Sequence, residues 1–70
     1  MLTYHCRPMG TTSDSVAEID ADSREQAAVK YVKRLNQTRE KLGLSPYDEY
    51  YVVVNGVCMK SGIDSAAPFA

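Results

Sequence analysis

Polar and apolar positions alternate through "LTYHC": Leu2, Tyr4 and Cys6 fall on one side, Thr3, His5 and Arg7 on the other. A period of two marks a half-buried strand. "RPMGTTSDS" then supplies turn chemistry, with Pro8, Gly10 and a polar cluster. Alternation resumes in "VAEIDA", where Ala17, Ile19 and Ala21 oppose Val16, Glu18 and Asp20. The two segments are expected to pair as a hairpin with a long loop.

The period changes in "DSREQAAVKYVKRLNQTREKLGL". Ala28, Tyr31, Val32, Leu35 and Leu42 fall at offsets 0, +3, +4, +7 and +14, the stripe of an amphipathic helix. Ser23 followed by Gln26 fits a capping box, and Asp20, Asp22 and Glu25 suit the positive end of the helix dipole. Arg39 interrupts the stripe and is expected to snorkel. Gly43 is the natural left-handed stop, with Pro46 three residues on.

"YYVVVNGVCMK", residues 50 to 60, is the strongest strand signal. Asn55-Gly56 favours a type I′ turn, because both residues tolerate positive φ. A two-residue loop sets Val54 opposite Val57, Val53 opposite Cys58, Val52 opposite Met59 and Tyr51 opposite Lys60. Alternation then puts Tyr50, Val52, Val54, Val57 and Met59 on one face and Tyr51, Val53, Cys58 and Lys60 on the other. The first set is larger and more apolar, so it belongs beneath the helix. The second is also partly apolar, and one helix covers only one face. Three things can cover the rest: the "SGIDSAAPFA" tail through Phe69, a second copy, or a partner.

The element order is ββαββ. The expected fold is α+β, a four-stranded, mainly antiparallel sheet with one long helix packed on one face. Seventy residues make one domain, expected over 1–64 with a tail at 65–70. At this size folding buries only about 60% of the unfolded chain's surface, so stability is marginal. A composition 44% hydrophobic and 24% charged is that of a globular protein. "MLTYHCRPMG" lacks a basic stretch followed by an apolar core, and no apolar run nears about 18 residues. A cytoplasmic protein without membrane contact is expected.

Candidate chemistry is sparse. Cys6 and Cys58 are too few for a disulfide scaffold and lack zinc-knuckle spacing. His5 and Cys58 both fall on outer strand faces, a conceivable activated thiol, but no acid is positioned to orient the imidazole. Asp48 and Glu49 are adjacent at the start of a strand and point to opposite sides, unlike an acid–base pair. The glycines are far apart and match no phosphate loop. No enzymatic activity, metal or cofactor is expected.

Charge is divided rather than absent. Residues 23 to 42 carry six cations against Glu25 and Glu40, a net of +4, and the remainder carries Arg7 and Lys60 against seven carboxylates, a net of −5. Lys30, Lys33, Arg34 and Lys41 lie on the helix side away from the apolar stripe. They are a candidate contact for RNA, DNA or an acidic protein, or else a solvated face suited to the helix's C-terminal half. No exposed aromatic accompanies them, so a base-stacking platform is not supported. Five tyrosines point to the other face. Tyr4, Tyr31 and Tyr50 have core assignments, whereas Tyr47 and Tyr51 join Val53 and Cys58 in an exposed strip. Tyrosine suits protein interfaces, because it offers area and a hydrogen bond together.

Residues 15 to 60 run strand, then "ADSREQAAVKYVKRL", then a strongly β hairpin. In layout this resembles small proteins of phages and mobile elements, the anti-CRISPR proteins among them. The resemblance implies a stoichiometric inhibitor in the host cytoplasm. It would dock on a CRISPR-Cas effector or another host nuclease complex and block nucleic-acid access. Under that mechanism Asp14, Asp48 and Glu49 would stand in for phosphates against a basic groove. The expected function is a non-enzymatic protein-binding module using Tyr47, Asp48, Glu49 and Tyr51, with Val53, Cys58 and Lys60. A homodimer is one form of that contact. The alternative is a nucleic-acid-binding accessory protein using Lys30, Lys33, Arg34 and Lys41.

Overall fold

Asn55 and Gly56 take φ of 47° and 82°, the positive pair that a type I′ turn requires. The turn joins β3 (Glu49–Val54) to β4 (Val57–Gly62). Their register is the expected one from Val54 opposite Val57 to Tyr51 opposite Lys60, and it runs on to Glu49 opposite Gly62. The structure, a computed structural model, describes residues 1–10 and 16–69. Asp14, one of the expected phosphate mimics, lies outside the described residues.

β1 (Leu2–Pro8) and β2 (Ala17–Ala21) form the first hairpin, with Tyr4 opposite Ile19 and Cys6 opposite Ala17. β1 also pairs antiparallel with β3, where Cys6 faces Val54. Asn55 extends this junction. Its side-chain oxygen accepts from the His5 N–H at 2.8 Å, and its own N–H donates to the His5 carbonyl at 2.9 Å. The turn that closes one hairpin therefore also fixes where the other docks.

A fifth strand, β5 (Ala66–Pro68), makes the sheet one strand larger than expected, all antiparallel in the order β2-β1-β3-β4-β5. The segment read as a tail contains this strand, which pairs with β4. A bond from the Gly62 N–H to the Ser65 carbonyl, 2.8 Å, turns the chain back along β4. The pattern did not announce this strand, because Ala66 and Ala67 differ in facing but not in hydrophobicity.

The helix, α1 (Arg24–Lys41), packs on one face of the sheet. The Gln26 N–H donates to the Ser23 hydroxyl at 3.1 Å, as a cap should. The Gln26 side chain reaches one residue further than a capping box requires and accepts from the Asp22 N–H at 2.7 Å. Gly43, at φ 73°, ends the helix in the left-handed region. Met59, Val32, Val52, Val54 and Cys6 are fully buried between the layers. Ala27, Ala28 and Tyr31 join them from the helix, with Leu35 partly buried beside them. Leu42 departs from the expected stripe. It is the cap residue, at φ −91° and ψ 1°, so it leaves the helical path and stands 69% exposed.

Candidate functional site

Residues alternate out of the core onto the sheet face opposite the helix. β1 contributes Thr3, His5 and Arg7; β3 and β4 contribute Tyr51, Val53, Cys58 and Lys60. Register sets Arg7 opposite Val53 and Val53 opposite Cys58, so these three form one row across the sheet. Phe69 follows β5 and continues that row, its N–H donating to the Cys58 carbonyl at 2.8 Å. Its ring meets Tyr51 edge-on, with centroids 5.2 Å apart and planes at 74°. Val53 is only 5% exposed and Phe69 is 50% exposed. The apolar strip is thus real but differently composed. Val53 is sealed, Cys58 and Tyr51 are half-buried, and the outermost group is Phe69.

Charged and polar pairs frame this centre. Lys60 Nζ lies 3.5 Å from Glu49 Oε2, and the Tyr51 hydroxyl donates to Glu49 Oε1 at 3.4 Å. On the far side the Thr3 hydroxyl donates to Asp20 at 2.8 Å, and His5 Nε2 sits 3.7 Å from Glu18 Oε1. Asp48 is exposed just before β3.

Tyr47 is not part of the outer strip. It precedes β3, so strand alternation does not govern it. Asn36 on α1 accepts from the Tyr47 N–H at 2.7 Å and donates to its carbonyl at 3.2 Å. The Tyr47 ring packs against Tyr50, centroids 4.7 Å apart, and under the Arg39 guanidinium at 4.1 Å. Arg39, expected only to snorkel, is therefore a loop-holding residue. It donates to the Ser45 carbonyl at 2.6 Å and to the Tyr47 hydroxyl at 3.1 Å.

The conceived His5–Cys58 pair does not form. β3 lies between their strands, and the row that holds Cys58 meets β1 at Arg7. Burial pushes the other thiol, Cys6, up to about 11, which leaves it protonated and inert at neutral pH. Among the described residues, no group of three or more His, Cys, Asp or Glu is placed to hold a metal ion. Nor is any described helix long and apolar enough to cross a membrane.

The basic helix face is smaller than the sequence suggested. Lys33, Arg34 and Lys41 are exposed, but Lys30 donates to the Asp20 carbonyl of β2 at 2.7 Å. Of the three expected covers of the outer face, the tail through Phe69 is the one seen, its ring against Tyr51 and its N–H on the Cys58 carbonyl. A groove between α1 and the 42–46 loop escaped the sequence reading, because it depends on polar side-chain contacts that have no periodicity. No protein-family model, no curated protein and no solved structure matches this chain.

Proposed function

We propose that the protein is a non-enzymatic binding module that docks on another protein through the outer face of its sheet, centred on Tyr51 and Phe69. The observation that carries this reading is Phe69. It is a half-exposed aromatic, fixed by a backbone bond to Cys58 and an edge contact with Tyr51. Interface centres are enriched in aromatic groups and framed by polar rims, which is the composition of this face. An anchor already held in place loses little conformational freedom on binding.

The sheet edges favour the face over strand addition as the mode of contact. Pro68 in β5 has no N–H to offer, and Lys30 occupies the Asp20 carbonyl on β2. In its finer form, taken from the layout resemblance, the partner is a CRISPR-Cas effector or another nuclease complex in the host cytoplasm, and binding blocks nucleic-acid access. Glu49 borders the face and Asp48 is exposed at the same strand entry; the two supply the negative charge for that role. Glu49 is shared with Lys60, whereas Asp48 has no ion-pair partner among the described residues.

The test compares three immobilised baits in a cell extract: the unchanged protein, a Tyr51→Ala/Phe69→Ser variant, and a Lys33→Glu/Lys41→Glu variant. Proteins retained at near-stoichiometric yield by the first should be lost from the second and kept by the third. Retention that survives loss of both aromatics overturns the proposal. Val53 is left intact, because a buried position confuses binding with stability.

A further inference from the structure

Arg7 stands apart from the other charged groups on the outer face. Lys60 lies beside Glu49, His5 beside Glu18, and Asp20 accepts from the Thr3 hydroxyl. Arg7 is exposed and, among the described residues, its guanidinium makes no ion pair. Glu18 is the nearest acid on β2 by register, but it stands opposite His5, two positions along β1 from Arg7, and pairs there. The backbone beneath Arg7 is fixed. Its register partner is Val53, and the Pro8 ring that follows restricts it to an extended conformation. Arg7 therefore begins the row that runs through Val53 and Cys58 to Phe69. Three strand spacings make that row about 14 Å long.

A protein seated on Tyr51 and Phe69 covers this row. A charge taken out of water without a counter-charge opposes binding strongly. Whatever covers Arg7 must bring an anion, and partners without one are rejected. We propose that Arg7 selects the partner of this face by requiring an acidic side chain, an Asp or Glu carboxylate, about 14 Å from the apolar group that meets Phe69. This rests on the outer-face docking proposed above. The planar guanidinium matches a carboxylate through two parallel hydrogen bonds. A nucleic-acid backbone offers similar oxygens, but as a continuous polyanion. Glu18, Asp20 and Glu49 share the face with Arg7 and Lys60, a formal +2 −3 = −1. That balance repels a polyanion and admits a single carboxylate at the one unpaired cation. Glu49 lies four residues along β3 from Val53, about 13 Å away, so the acidic strand entry and Arg7 meet different parts of the partner.

The test selects displayed random peptides of about twelve residues on the immobilised full chain, long enough to span the row when extended. Enriched peptides are synthesised and their affinities measured for the unchanged protein, Tyr51→Ala/Phe69→Ser, Arg7→Gln and Arg7→Glu. Peptides that lose binding to the Tyr51→Ala/Phe69→Ser variant should carry an Asp or Glu about four residues from an apolar residue. Replacing that acid with Asn or Gln should weaken binding to the unchanged protein at least about tenfold, and to Arg7→Gln by less than about twofold. Replacing it with Lys should restore binding to Arg7→Glu. Arg7 is exposed, so these variants should keep the circular dichroism of the unchanged protein. Aromatic-dependent peptides that carry no acid, or an acid whose loss costs the same on Arg7→Gln, overturn the role of Arg7 and leave the outer-face docking standing. A dimer of the unchanged protein that dissociates on Arg7→Gln also overturns it, because the carboxylate is then a second copy's. Single-stranded DNA that displaces the peptides from the unchanged protein but not from Arg7→Gln assigns Arg7 to phosphate instead. A selection that returns no peptide sensitive to Tyr51→Ala/Phe69→Ser removes both this role and the docking face.

Discussion

Cys6 shows how one buried atom sets a pH response. Burial raises the thiol from 9.0 to about 11 in the folded chain. The unfolded thiol ionises first. Stability from the neutral group is therefore complete below pH 9, falls as pH rises from 9 towards about 11, and is gone above it. Two pKa units correspond to about 3 kcal/mol. Tyr31 and Tyr50 are raised as well, chiefly by burial, and add to the same alkaline loss. Urea denaturation of Cys6→Ala should show a stability loss between pH 9 and about 11 that is smaller than the unchanged protein's by about 3 kcal/mol. Equal losses would remove Cys6 from the explanation. Asn36→Ala, which leaves both backbone groups of Tyr47 unpartnered, should cost about 1–3 kcal/mol in thermal or chemical unfolding. Cys6, Ile19, Val52 and Met59 were legible in the sequence because strand alternation alone points them inward. Tyr47 and Leu42 were not. Their positions follow from the Asn36 and Arg39 contacts and from the helix cap, none of which leaves a period in the chain.

Among the elements, the second hairpin was the most legible, because two residues decide its register. Gly56 at φ 82° is the position where a side chain strains the backbone, so Gly56→Val should destabilise by about 1–2 kcal/mol. Asn55→Gly keeps the turn but loses the bond from the His5 N–H. It should cost about 1 kcal/mol and loosen β1 against β3, visible as faster amide exchange at His5. β5 lay beyond the pattern, since two alanines and a proline carry no amphipathic contrast. Its contribution is to site Phe69. Phe69→Ala should therefore lower stability by only about 1 kcal/mol, the scale of one aromatic pair, while removing most partner binding. Large unfolding of this variant would make Phe69 a structural group instead.

The whole molecule divides its charge and its exposed apolar groups between opposite sides. The helix carries six of the eight cations, with Leu42 and Leu44 exposed at its end. The outer sheet face carries Tyr51 and Phe69 within a frame of paired charges. The α+β class and both hairpins followed from periodicity, because each element is amphipathic at its own period. The path of the last residues did not, because Ala66, Ala67 and Pro68 carry no amphipathic contrast to fix where Phe69 returns. Duplex DNA should bind only weakly at low salt, since Lys30 and Arg39 are committed within the fold. Tight, steeply salt-dependent binding lost on Lys33→Glu would instead favour the nucleic-acid alternative. The outer face itself is tested most directly by photocrosslinking. A benzophenone side chain is placed at Phe69 and, separately, at exposed Thr38, and each protein is illuminated in a cell extract. A discrete protein adduct is expected from position 69, lost on Tyr51→Ala and absent from position 38. No adduct from position 69, or one equally strong from both positions, would contradict docking through this face.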